Sequence, residues 1–350
     1  MAYTTIKKPS DYFNTVLYTA NNSTQSITGV GFQPDFIWFK NRSSAYDHRA
    51  CDSVRGANKL LGINITNAEA TTTASVTSID SDGFTLGADN DGYGVNYPNG
   101  DNIASWNWLA GGTGVSNTDG SITSTVSANT TSGFSIVKFT ASGSGDETVG
   151  HGLGVKPKMV ITKVTSTTGP WNTYNENLNS SAPEDYYLNL ASTNGSSSDS
   201  PGVFGAGMTT STIGVGVGVG FVSGQDYIAY CFAEKKGFSK FGSYTGNGNA
   251  SDGTFVYTGF KPAFVIIKRY NASGHDWILI DNKRVGYNAD NNTLLPNSSS
   301  AEDTGNRIDI LSNGFKNYNA NGSENENGGT YIYMAFAEEP LVGDNPATAR

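Results

Sequence analysis

Gly31-Phe32-Gln33-Pro34-Asp35-Phe36-Ile37-Trp38-Phe39-Lys40 occurs in this chain in three versions. The second is Gly154-Val155-Lys156-Pro157-Lys158-Met159-Val160-Ile161-Thr162-Lys163. The third is Gly259-Phe260-Lys261-Pro262-Ala263-Phe264-Val265-Ile266-Ile267-Lys268. Proline and lysine stand six residues apart in all three, so one module is used three times. Proline lacks an N–H, so each of Pro34, Pro157 and Pro262 is expected to open an inner strand. Alternation then places Phe36 with Trp38, Met159 with Ile161, and Phe264 with Ile266 on one face.

The frame extends both ways. An aromatic-threonine pair precedes each anchor: Tyr18-Thr19, Phe139-Thr140 and Tyr244-Thr245. Downstream of the proline come His48, Trp171 and Trp277, then Asp52, Asn175 and Asp281. Three residues later stand Arg55 and Arg284, but Leu178 in the middle copy. A closing strand ends each copy, as in Ile103–Trp108, Ile228–Glu234 and Ile332–Glu338. The expected organisation is an N-terminal arm at 1–12, modules at 13–112, 133–234 and 238–339, a linker at 113–132 and a tail at 340–350. Each module is about 100 residues, a common domain size.

Short Val, Tyr, Phe, Trp and Thr runs alternate with Gly, Asn, Asp and Ser clusters, which predicts an all-β chain. The expected fold is three tandem antiparallel β-sandwich modules of jelly-roll or lectin-like kind. With a net charge of −9, nucleic acid is a poor partner, because duplex affinity needs cationic contacts. No run of 18 apolar residues predicts membrane insertion. The start, Met1 to Lys8, lacks the hydrophobic stretch of a signal peptide, so synthesis in a cytoplasm is expected. Cys51 and Cys231 fall at different module positions and read as reduced thiols.

The triple Gly-x-x-Pro-hydrophobic-Lys frame resembles glycine-rich β-module virion proteins of marine tailed bacteriophages. So do Asp52-Ser53-Val54-Arg55-Gly56 and the ending Ala335-Phe336-Ala337-Glu338-Glu339-Pro340-Leu341-Val342-Gly343. The resemblance implies a non-enzymatic structural protein located in the virion, a tail fibre or similar appendage that attaches to host glycan. It also implies other virion proteins as partners and a homo-oligomer, usually a trimer. A head-decorating or adaptor protein without glycan binding is the alternative, and a polysaccharide-degrading enzyme a remoter one. The middle copy departs from the pattern at Asn175 and Leu178.

Candidate sites are few. Trp171 with Asn172 and Asn175, and Trp277 with Asp276, combine aromatic faces with amide and carboxylate groups, the chemistry of sugar binding; the same rings also suit a core. The Asp52/Arg55 and Asp281/Arg284 pairs read first as turn caps with an ion pair. No metal centre is expected from the histidines, which share no metal-like spacing. Asp80-Ser81-Asp82-Gly83 and Asp89-Asn90-Asp91-Gly92 offer oxygen ligands for calcium without the full loop pattern. No catalytic residue set or cofactor motif stands out. Gly214-Val215-Gly216-Val217-Gly218-Val219-Gly220 leaves one bare face, expected to be covered by another backbone.

Overall fold

A computed structural model describes residues 4–199, 202–216, 220–284, 288, 291–305, 307–340 and 346. Among them the chain is all-β: antiparallel sheets, two 3-10 turns and no α-helix. The strand order repeats. In the first copy Phe13–Thr19, Asn102–Trp108, Phe36–Asn41 and Arg49–Asp52 lie side by side. Phe134–Thr140, Asp226–Phe232, Met159–Val164 and Trp171–Asn175 follow the same order in the second. Ser239–Thr245, Thr330–Pro340, Phe260–Arg269 and Trp277–Asp281 do so in the third. A smaller sheet faces each of these: Gln25–Thr28 with Gly83–Leu86 and Val76–Asp80, Glu147–Gly150 with Thr212–Val215, and Phe255–Tyr257 with Gly314–Asn317 and Ile308–Leu311.

Each anchor strand is inner and buried on both faces, which explains its unbroken apolar run. One parity holds in all three copies. Ile37, Val160 and Val265 point into a core between the large and small sheets of their own repeat. Phe36, Trp38, Met159, Ile161, Phe264 and Ile266 point the other way, into one cluster that all three repeats share. Aromatic contacts cross it: Phe36 meets Tyr230 at 4.2 Å between ring centroids, Phe13 meets Phe336 at 5.2 Å, and Phe232 meets Phe336 at 6.0 Å. Pro34 and Pro157 sit two residues before their strands, whereas Pro262 lies inside its strand at a register shift, where the missing N–H is tolerated.

Other expectations change. The stretch 113–132 is no free linker: Val115–Asn117 and Ser124–Asn129 pair onto the second repeat's large sheet, and hydroxyl-rich strands suit its edge. Nor does the arm before residue 13 hang free. Ile6 is buried in the shared core, and Thr4 packs against Gly237. The bare glycine face is covered as expected, since a Cβ on Gly214 or Gly216 would meet the carbonyl oxygens of Phe204 and Gly202 at 1.9 and 2.1 Å. Val217 and Val219 lie outside the described residues, as do 341–345 and 347–350 of the tail.

Because the core is shared, no repeat should be removable without exposing the other two. Truncating a single buried ring of this kind costs about 3–5 kcal/mol, and deleting residues 238–340 would bare several. The remaining chain should lose its cooperative thermal transition and bind a hydrophobic dye, checked by calorimetry and fluorescence.

Candidate functional site

The sequence-derived tryptophans do not form a sugar platform. Trp171 and Trp277 are each 1% exposed, with their rings in the shared core. Alternation along the edge-side strand of each large sheet turns these residues inward. Their indole N–H groups donate across repeats, Trp171 Nε1 to the Gly62 carbonyl at 2.8 Å and Trp277 Nε1 to that of Asn189 at 3.1 Å. A buried indole needs such a partner, and here it stitches one repeat to the next. Asn175 is buried too and accepts from the Asn177 N–H. Asp276 accepts from Asn297 Nδ2 at 2.8 Å, away from the Asn172 cleft described below.

The Asp/Arg element is also a seam. Asp52 Oδ1 accepts from the Val54 and Arg55 N–H groups, and Oδ2 pairs with Arg55 Nε at 2.6 Å. Asp281 treats Lys283 and Arg284 the same way, with its Arg284 pair at 2.7 Å. Each carboxylate then takes a donor from another repeat: the Tyr230 hydroxyl on Asp52 at 2.8 Å, and Trp106 Nε1 on Asp281 at 3.0 Å. Pairing register makes Trp106, Tyr230 and Met334 equivalent. Methionine donates nothing. The repeat that would receive it, the second, carries Asn175 and Leu178 in place of Asp and Arg, and Asn175 Nδ2 has no partner. The middle copy's departure therefore follows its neighbour's chemistry.

Two of the three anchor lysines also bond across a seam. Lys40 Nζ donates to the carbonyls of Tyr46 and, in the third repeat, Ser299; Lys163 Nζ to those of Gly169 and, in the first, Thr66. Lys268 Nζ donates to His275 O. Burial pushes all three ammonium groups down to about 8. His48, the first-repeat counterpart of Trp171 and Trp277, accepts from Trp38 Nε1 at 2.9 Å. Burial, then the Lys40 charge, holds its pKa well below the ordinary value.

The calcium-type aspartates serve turns instead. Asp82 accepts from the Gly29 and Gly31 N–H groups, which hold it below the usual carboxylate range, and Asp89 accepts from Ser75 and the N–H groups of Val95 and Asn96. Among the described residues no three His, Cys, Asp or Glu side chains converge as metal ligands, and no helix is long and apolar enough to cross a membrane.

Of the expected sugar-binding residues, Asn172 lines a cleft. It shares a space of about 200 Å³ with Pro170, Tyr187, Asn189, Asn194, Gly195 and Ser197. Register explains the grouping: Asn172 pairs with Asn189, and Tyr187 with Ser197, so four side chains share the face opposite Trp171. The far wall is fixed by the third repeat, through Ser196 N–H to Tyr270 O at 2.8 Å and Gly195 N–H to Ser273 Oγ at 3.0 Å. Asn172 is 2% exposed, and its Oδ1 has no partner within the protein. An unpaired amide oxygen buried beside a polar cleft lacks one hydrogen bond that a donor entering there could supply. Sequence reasoning passed over both the strand Tyr186–Asn189 and the Asn/Ser run after it, which carry no motif of their own.

Residues 8–340 match the family described as Domain of unknown function (DUF7483), and the chain belongs to that family. No curated protein matches it.

Two predictions arise from the seams. Asp52→Ala removes the cap, the Tyr230 partner and half of the Arg55 pairing, and should cost about 3 kcal/mol or more; Asn175→Ala, with fewer partners, should cost about 1 kcal/mol. Urea unfolding of both variants checks the contrast. For pH, burial lowers His48, His151 and His275 below their ordinary value. The unfolded chain then takes up protons near pH 6.5 that the native state refuses, so stability falls as pH drops below 6.5. The fully buried His48 contributes up to about 1.4 kcal/mol per pH unit, and the more exposed His275 much less. His48→Phe should flatten the decline between pH 6.5 and 5, read from melting temperatures.

Proposed function

We propose that this chain is a non-enzymatic structural protein of a tailed-phage virion, an appendage that binds glycan on the host surface. In this reading its repeats are three tandem β-sandwich modules of lectin-like kind, and its partners are other virion proteins and further copies of itself. The cleft carries the reading. A buried, unpartnered Asn172 Oδ1 beside Tyr187, Asn189, Asn194 and Ser197 supplies an oriented acceptor, a ring and further hydroxyl and amide groups. Sugar recognition uses that combination, and several weak sites on an oligomer add up through avidity. Rigidity supports it as well, since backbone and side-chain bonds from the third repeat pin the 194–197 wall.

A head-decorating or adaptor role is favoured by a different feature. Val115–Asn117 is an outer strand of its sheet, and Val115 is 73% exposed, which suits pairing with another protein.

Glycan-array binding with purified protein tests the first reading. Asn172→Ala should lower binding about tenfold through loss of one buried hydrogen bond, with an unchanged melting temperature. Absence of any bound glycan, or equal binding by the variant, would sink it. Immunogold labelling of particles locates the protein on tail or head.

A further inference from the structure

The three repeats serve as controls for one another, and one face of the third stands apart. On its small sheet Phe255 and Tyr257 flank the inward Val256 and project to solvent, 44% and 50% exposed. Phe255 lies opposite Lys316 and Tyr257 opposite Gly314. Tyr318, 36% exposed, follows two residues after Lys316. Lys240 Nζ sits 5.3 Å from the centre of the Tyr257 ring, and Lys316 Nζ 5.7 Å from that of Tyr318. Lys316 is tethered to Asp252 at 2.5 Å.

Register identifies the same positions elsewhere. In the first repeat Ile27 pairs with Phe84 as Val256 pairs with Phe315. Phe255 and Tyr257 therefore correspond to Ser26 and Thr28, and Lys316 to Thr85. In the second repeat Val149 pairs with Ile213, and the flanking residues are Thr148 and Gly150. The fold thus accepts small or hydroxyl side chains at both positions. Exposed aromatic rings are unfavourable in water, and the other two repeats fold without them, so a ligand is their best account.

We propose that Phe255, Tyr257 and Tyr318 form a stacking platform for a neutral, β-linked glycan of gluco configuration, separate from the Asn172 cleft. A pyranose with axial hydrogens presents an apolar face that packs on a ring, while its equatorial hydroxyls point outward to the edges. Residues two apart on a strand are about 6.6–6.8 Å apart, so the two rings of the edge strand meet successive parts of an extended chain. Lys240 and Lys316 lie over the Tyr257 and Tyr318 rings, where their ammonium groups can donate to a ligand's hydroxyls. Among the described residues, the exposed large hydrophobics of these two strands and the residue after them are all aromatic, unlike a mixed protein-docking patch. The chain's net charge of −9 disfavours a polyanionic glycan. This inference rests on the glycan-binding reading and extends it to a second surface.

The test uses the full chain with cellohexaose and chitohexaose as probes, followed by calorimetry and tyrosine fluorescence. Phe255→Ser with Tyr257→Thr installs the first repeat's own residues, so folding should be kept, verified by an unchanged melting temperature. Wild type should bind at least one probe, and the double variant about tenfold or more weakly. Asn172→Ala should leave this binding unaltered. Equal binding by the double variant would overturn the platform, as would failure of wild type to bind either probe. Glycan-array binding that is lost in Asn172→Ala but kept in the double variant would leave the cleft standing and remove the platform. Self-association of wild type that disappears in the double variant, without probe binding, would make the patch an interface between copies and also overturn the proposal.

Discussion

Everything in this molecule depends on burying the second face of each large sheet. A sheet with one wet face needs a single partner layer; here the small sheet covers one face, and the other carries Phe36, Trp38, Trp106 and Trp108 or their counterparts. That much aromatic surface cannot be left in water, and the only comparable surfaces are those of the other two repeats. Three sheets therefore close on one another. The rings supply the driving force, since each buries a large apolar area. Polar groups at the rim then decide which repeat meets which.

Specificity comes from matched donors and acceptors along the seams. Indole and phenol donors must find acceptors once buried, and the backbone of the next repeat or its aspartate provides them. The aspartates are charged, so each is held by an arginine of its own turn, and the arginine by a glutamate: Arg55 by Glu69, Arg284 by Glu302. A buried ion pair of this kind adds little net stability but is costly to break, which favours one arrangement of the three repeats over others. Asn175 and Leu178 show the rule by exception, since a methionine neighbour calls for neither charge.

The repeat, the anchor strands, their common parity and the turn role of the Asp/Arg element were all legible in the chain, because each follows from local pattern. Closure around a shared core was not. Alternation leads one to expect a single buried face, and the signal to the contrary was the lack of any polar residue in Phe36-Ile37-Trp38-Phe39. Trp171 and Trp277 were misplaced for the same reason: beside Asn and Asp, an inward ring and an outward one have the same sequence. The hydroxyl-rich 113–132 read as linker because threonine and serine serve both loops and edge strands. Of the cleft only Asn172 was visible, its other walls being assembled from the neighbouring strand and a loop pinned by another repeat.

The chain runs from the first repeat to the second to the third, so two of its seams are also joined covalently and the third is not. Between the last repeat and the first, closure depends on noncovalent contacts, among them the Glu302 N–H to Arg42 O bond at 2.9 Å. There Arg42 grips Glu302 through two parallel bonds at 2.8 and 2.9 Å, Trp106 reaches Asp281, and the segment before residue 13 lays Ile6 into the core. A clasp of this sort is the natural point of opening for a ring under tension. Pulled by its two ends, the protein would resist as a closed loop until that ion pair and its neighbours gave way, and only then begin to unravel.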